Sequence, residues 1–272
     1  MVCNGPGELT TWVRPLAERL HQRALPSTSL QLVLVPCPNA TGTEADVARR
    51  MNLFDRVLPA SRFWWLLLRP QRHGPWPAAG VVVFLGGEQI WTVLLSARLG
   101  YRHLTYAEWV ARWPRWNDRI AAMGPAAADR LAKRWQPRCQ VVGDLMADLS
   151  SSARSSAPLP SGEWVALLPG SKRAKLQVGM PFLLRCAEAL RTLRPQTQFL
   201  LALAPTTTVA ELQAFAGPSN PLQRFYGTQE PELIEQDGQR WLVSSGGARI
   251  LLVEEHPAHG PLSQCALALT TV

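Results

Sequence analysis

Paired cysteines, long apolar runs and lysine are what this 272-residue sequence lacks. Its five cysteines (Cys3, Cys37, Cys139, Cys186 and Cys265) are odd in number and widely scattered, with no Cys-x-x-Cys pair. That excludes a disulfide framework and a thiolate zinc site, and fits a reducing cytoplasm. No uninterrupted apolar run approaches the roughly 18 residues that a membrane-spanning helix needs. The start of the chain has no charged-then-apolar secretory layout, so the chain reads as soluble or peripheral. The dinucleotide fingerprint and the phosphate loop ending in Gly-Lys-Ser/Thr are missing. His73, His103, His256 and His259 show no metal spacing with carboxylates, and no Ser-His-Asp arrangement can be defended. Neither a metal nor another cofactor is expected.

What is present is enough apolar material, 47% of residues, for real cores. Positive charge is unevenly spread. Residues 1–150 hold 18 Lys+Arg against 11 Asp+Glu, a net +7, whereas residues 151–272 hold 10 against 9, a net +1. Nine of the 11 tryptophans also fall in the first half. Large amphipathic rings among arginines suit phosphate-bearing partners such as anionic lipid, nucleotide or nucleic acid. The 25 Arg against 3 Lys also fit a simple composition bias.

Apolar runs with the look of buried parallel strands alternate with helical spacing, which is α/β patterning. Strands are expected at Leu30–Pro36, Gly80–Leu85, His103–Ala107, Cys139–Val142, Trp164–Leu168, Gln198–Ala204, Arg249–Val253 and Ala266–Thr271. Crossover helices are expected at Leu9–Gln22, Gln89–Leu99, Pro125–Trp135, Lys175–Leu193 and Thr207–Ala216. The Ser-, Pro- and Ala-rich stretch within 150–162 reads as a linker between a first domain, 1–149, and a second, 163–272. Two doubly wound parallel-sheet domains would face each other across a cleft, with ligands at the carboxyl ends of strands. Both ends look cut: a glycine turn follows Met1-Val2-Cys3 at once, and the last strand has no following loop, so the second domain is expected to be incomplete.

Five segments carry candidate chemistry. Asn4-Gly5-Pro6-Gly7-Glu8 is a strand-to-helix turn that could present amides to a sugar or anion, or be a plain tight turn. Leu167-Leu168-Pro169-Gly170-Ser171-Lys172-Arg173-Ala174-Lys175 runs from a strand through a glycine turn into cations, which suits a diphosphate. Cations at a helix start oppose the helix dipole and so call for an anionic partner. Val81–Gln89 ends a strand in Gly86-Gly87-Glu88, where Glu88 reads either as a general base or as a surface acid favoured by the dipole. Phe63-Trp64-Trp65-Leu66-Leu67, opening a run to Trp76, reads as a membrane-interface contact or as core packing. Tyr106–Trp116 interleaves aromatic and basic residues and suits sugars, lipid phosphates or bases.

The order of these motifs resembles the lipid-A-disaccharide synthase family. The resemblance rests on Gly5-Pro6-Gly7-Glu8, the strand ending at Glu88, Tyr106 followed by Trp113 and Arg115, Val142-Gly143-Asp144-Leu145-Met146-Ala147-Asp148, and Leu167–Lys172. The chain is more similar still to cyanobacterial lipid-A-disaccharide synthase-like proteins, through Asn4–Leu9, Phe84–Gln89 and Tyr106–Trp109. The resemblance implies a GT-B fold and a hexosyltransferase that moves diacylglucosamine from a UDP-sugar donor to a monosaccharide phosphate glycolipid, at the inner face of the cytoplasmic membrane and without metal. It further implies Glu88 as base, and Asn4, Gly5, Gly7, Glu8, Tyr106, Glu108, Trp113 and Arg115 on the acceptor side. Pro169, Gly170, Ser171 and Lys172 would lie at the nucleotide sugar, and Phe63 to Leu67 at the anionic membrane surface. Nucleic acid is not an expected partner, since no recognised motif accompanies the charge. Three departures stand out. Leu85 falls where the family has its first Asp, Lys172 replaces an Arg fork, and the glycine-rich loop with its Glu would have to follow Thr271-Val272. The chain by itself is therefore expected to be inactive or very weak. A non-catalytic binder of anionic lipid or nucleotide sugar with the same fold is the alternative.

Overall fold

The computed structural model describes residues 1–23, 28–38, 40–147, 158–256 and 258–271. The chain divides into two compact units, Met1–Leu149 and Ser150–Val272. Most of the proline- and serine-rich stretch, 150–157, lies outside the described residues, as do Asp148 and Val272.

In the first unit, short runs of Val, Leu, Ile and Phe form seven parallel strands: β1 Val2–Cys3, β2 Gln31–Leu34, β3 Arg56–Leu58, β4 Val81–Phe84, β5 Arg102–Ala107, β6 Arg119–Ala122 and β7 Cys139–Val141. Their order is β3-β2-β1-β4-β5-β6-β7. The winding direction reverses between β1 and β4, which pair Val2 with Phe84, and such switch points open a crevice at the carboxyl ends of the strands. Cores lie on the two faces of the sheet, one around Leu9, Val13, Leu32, Leu34 and Leu85 and the other around Val33, Phe63, Leu66, Val82 and Leu95.

In the second unit, β8 Trp164–Leu168, β9 Gln198–Ala202, β12 Arg249–Val253 and β13 Leu267–Thr270 run parallel, and β10 Glu232–Gln236 with β11 Gln239–Val243 adds an antiparallel hairpin at one edge. The order β10-β11-β12-β9-β8-β13 puts a second reversal between β8 and β13. The hairpin turns on Asp237 and Gly238, both at positive φ (54° and 71°), the geometry that favours Asp-Gly in two-residue loops. Helix α7, Arg173–Leu193, lays Leu176, Met180, Leu183, Leu184 and Ala187 onto the sheet at helical spacing.

Most expected elements are present within a residue or two. The first helix spans 6–22 without a break, as α1 Pro6–Glu8, a π turn at Leu9–Val13 and α2 Arg14–Gln22. Pro125–Trp135 is not one helix: a short helix covers only Pro125–Asp129, Ala132 is extended (φ −58°, ψ 141°), and a 3-10 turn covers Lys133–Arg138. Pro137, which has no N–H to donate, stands inside that turn. The Phe63–Leu67 reading is corrected in part. These residues begin α4, Phe63–Leu68, whose Phe63, Leu66 and Leu67 are buried at 1%, 1% and 8% exposure, while Trp64 (51%) and Trp65 (60%) face outward. Positions i, i+3 and i+4 share one face of a helix, so half of that apolar run belongs to the core.

His103 on β5 is 1% exposed, and its Nδ1 has no partner among the described residues. Burial pushes its pKa down from 6.5, against weaker upward pulls from the Trp116 backbone and Asp118. The fold therefore holds the neutral ring, and the stability this contributes is present above about pH 6.5 and declines as pH falls below it. Urea unfolding at pH 7.5 and 5.5 is expected to show wild type losing about 1 kcal/mol more than His103→Gln over that window. Equal losses would remove His103 as the acid-sensitive group.

Candidate functional site

At the reversal between β1 and β4 lies a pocket of about 250 Å³. Its walls come from the loops that leave β1, β4 and β5, three strands adjacent in the sheet and far apart in sequence. The β1 loop supplies Glu8, and one turn further along the same helix, on the same face, Trp12. The β4 loop supplies Gly86, Gly87, Glu88 and Gln89, and the β5 end supplies Tyr106 and Glu108 followed by Trp109, Val110 and Arg112.

Close packing at the glycines shapes the floor. Gly87 stands at φ +100°, and a Cβ there would come within 2.9 Å of Asn4 Cγ and 3.1 Å of Val35 Cγ2. The Glu8 side chain rests against Gly86, whose added Cβ would meet Glu8 Cβ and Cγ at 2.9 Å. Asn4 Oδ1, at the foot of this loop, is buried without a hydrogen-bond partner among the described residues. A buried acceptor without a partner is costly.

Two aromatic rings and a backbone clasp complete the wall. Tyr106 packs edge-on against Trp12, with ring centroids 5.4 Å apart. Its hydroxyl donates to Gly143 O and accepts from Leu145 N, both at 3.3 Å, and so ties the Gly143–Met146 segment to the pocket. Burial raises the pKa of that phenol, so it keeps its proton. The β5 loop is held by two buried amides. Gln89 donates to Val110 O (2.8 Å) and accepts from Arg112 N (2.6 Å). Asn117, fully buried, donates to Arg112 O and Trp113 O (both 3.3 Å) and accepts from Thr105 Oγ1 (2.6 Å).

The electrostatics are uneven. Arg112 Nη1 lies 3.3 and 3.2 Å from the two oxygens of Glu88. Glu8 and Glu108 form no ion pair among the described residues. Three carboxylates and one guanidinium line the pocket.

The structure thus brings Glu8, Glu88, Tyr106 and Glu108 together, with Asn4, Gly5 and Gly7 in the loop beside them. Trp113 and Arg115 are not among the lining residues: Trp113 is left-handed (φ 57°) and 42% exposed, and Arg115 starts outward in the following 3-10 turn. Trp109 and Arg112, although exposed, line the pocket instead. Trp12 escapes a reading of motifs and is marked only by its i, i+4 spacing from Glu8, whereas Gln89, Trp109 and Arg112 fall inside the segments Val81–Gln89 and Tyr106–Trp116 without being singled out there.

The second cluster sits at the other reversal. Pro169 is buried, Gly170 stands at φ +97°, Lys172 is the N-cap of α7, and no side chain caps that helix start. Arg173 pairs loosely with Glu211 at 3.5 Å, whereas Lys172 and Lys175 form no ion pair among the described residues. The turn is wedged by Gly179, buried inside α7, where an added Cβ would lie 2.7 Å from Pro169 O and 2.9 Å from its Cα. The buried hydroxyl of Thr271, at the carboxyl end of β13, has no partner among the described residues. Uncapped helix amides and two ammonium groups without an ion pair among the described residues are chemistry that suits an anion.

No family model matches the chain. Among curated proteins it is 31% identical over 122 residues to the lipid-A-disaccharide synthase of Alteromonas mediterranea, covering 40% of this chain and 31% of that protein. It is 34% identical over 96 residues to the lipid-A-disaccharide synthase of Anaeromyxobacter dehalogenans, covering 35% and 25%. The matched stretches thus span at most about a third of those relatives. Among solved structures it resembles the Neisseria meningitidis UDP-GlcNAc 2-epimerase bound to UDP-GlcNAc (TM-score 0.57, 10% identity, all of this chain and 76% of the other). It also resembles the S. aureus MnaA–UDP co-structure (TM-score 0.58, 11% identity, all of this chain and 73% of the other). The fold is GT-B-like, with two α/β units built on parallel-dominated sheets.

Proposed function

We propose that the chain carries the donor-diphosphate turn and the acceptor pocket of a hexosyltransferase of the lipid-A-disaccharide synthase type. The observation that supports this most is the cationic, uncapped start of α7 at the β8–β13 reversal. It lies in a fold shared with proteins solved with UDP and UDP-GlcNAc. In this reading the amides of α7, Ser171 and the ammonium groups of Lys172 and Lys175 hold the diphosphate of a UDP-sugar and stabilise the charge it gains on leaving. The first unit binds the acceptor, a glycolipid hydroxyl. A carboxylate takes the hydroxyl proton, the oxygen forms a bond to the anomeric carbon, and the electron pair of the breaking carbon–oxygen bond departs with UDP.

Glu88 is the base that the family resemblance implies, with Arg112 already against its carboxylate. Glu8, half-buried and without an ion pair among the described residues, is the second candidate. Among the described residues no helix is long and apolar enough to cross a membrane. The outward Trp64, Trp65 and Leu68 of α4, flanked by Arg62 and Arg69, are the face we assign to an anionic bilayer surface.

Calorimetry with UDP tests the donor assignment. Lys172→Ala and Lys175→Ala are each expected to weaken binding about tenfold, the worth of one charge-assisted contact. UDP affinity unchanged in both variants would overturn it. UDP release from a UDP-sugar with a glycolipid acceptor, in Glu88→Gln and Glu8→Gln, identifies the base by which variant loses turnover; equal retention in both removes both. Co-sedimentation with vesicles containing anionic lipid is expected to drop when Trp64 and Trp65 are changed to Ser, and no drop would remove the α4 face.

A further inference from the structure

The family resemblance implies an acceptor that carries phosphate. The charge of this pocket opposes it. We infer that the β1–β4 pocket takes a sugar ring without phosphate, and prefers one bearing a protonated amine. The inference rests on the reading of this pocket as the acceptor side.

Four observations carry it. First, the pocket stands at the carboxyl-end switch point of a doubly wound sheet, where small ligands bind. Second, its volume, about 250 Å³, is near the lower end of ligand pockets and has room for a single ring. Third, Trp12, Tyr106 and Trp109 supply aromatic walls for the apolar face of a sugar.

Fourth, and decisive for the chemistry, the lining holds Glu8, Glu88 and Glu108 against Arg112 alone, and that arginine is already engaged by Glu88. Two carboxylates are left without an ion pair among the described residues. A phosphate placed beside them would meet like charge, while the one cation in the lining is already held by Glu88. An ammonium would be attracted by both, and neutral hydroxyls would find acceptors without a charge penalty. The cations suited to phosphate stand elsewhere, at the start of α7.

Titration calorimetry at low ionic strength with three probes tests the inference: methyl glucosaminide, methyl N-acetylglucosaminide and N-acetylglucosamine 1-phosphate. The expected affinity order is amine, then neutral, then phosphate, with on the order of tenfold or more between the extremes. Half-molar salt is expected to compress the spread. Glu8→Gln and Glu108→Gln, which keep side-chain shape, are each expected to narrow it severalfold, with thermal unfolding confirming that both variants fold. Trp12→Ala locates the site by weakening all three probes together. Phosphate binding as tightly as the amine, or a spread unchanged in both Gln variants, would overturn the inference and leave the acceptor reading standing. If no sugar binds while UDP still does, the acceptor reading of this pocket fails, and the inference with it.

Discussion

Gly179→Val is expected to cost about 2–4 kcal/mol of unfolding free energy and to lower UDP affinity by roughly tenfold or more. Ordinary helix propensity makes the opposite forecast, since a glycine in the interior of a 21-residue helix is disfavoured by about 1 kcal/mol against alanine. The geometry overrules propensity. The position is buried, and a Cβ there would lie 2.7 Å from Pro169 O and 3.0 Å from Thr271 Oγ1. Pro169 O is backbone and cannot rotate aside, so either α7 lifts off the sheet or the Pro169–Lys172 turn moves. Lifting α7 opens the core built on Leu176, Met180 and Leu183. Moving the turn misplaces the amides and ammonium groups assigned to the diphosphate. Urea unfolding and UDP calorimetry on Gly179→Ala and Gly179→Val decide between these routes, and alanine leaving both quantities unchanged would show that the contact constrains nothing.

The second large effect is expected at Asn117. Asn117→Ala removes the acceptor for the Thr105 hydroxyl and the donor to two carbonyls at once, in a site closed to water. Each buried group left unpaired costs about 1–3 kcal/mol, and some will relax toward solvent, so a loss of about 2–4 kcal/mol is expected. The same amide holds Trp113 in a left-handed conformation that costs a bulky residue about 1–2 kcal/mol. Released, the loop carrying Trp109 and Arg112 relaxes away from the pocket, and sugar binding weakens along with stability. A destabilised variant that still binds methyl glucosaminide normally would confine Asn117 to the core and separate it from the site.

Much of the fold is legible in the residues. Apolar runs such as Val81-Val82-Val83-Phe84 and Trp164-Val165-Ala166-Leu167 have one reasonable fate, and the glycine turns after them mark strand ends. Asp237-Gly238 between Glu232–Gln236 and Gln239–Val243 is a hairpin signal that a search for buried apolar runs passes over, because these edge strands are half exposed. The Phe63–Leu68 helix shows the limit of composition: an apolar run states how much surface avoids water and leaves open whether protein or membrane covers it.

The sequence by itself determined the α/β class and the strand ends, because those follow from local patterns of burial and backbone freedom. Tertiary structure alone decided which side chains share a pocket. Parallel crossovers return β1, β4 and β5 side by side, and so collect Glu8, Trp12, Glu88 and Glu108 from positions up to a hundred residues apart. Net charge is a sum over a segment, whereas a ligand meets only the charges that face it; that is why the more basic half of this chain holds an acidic pocket.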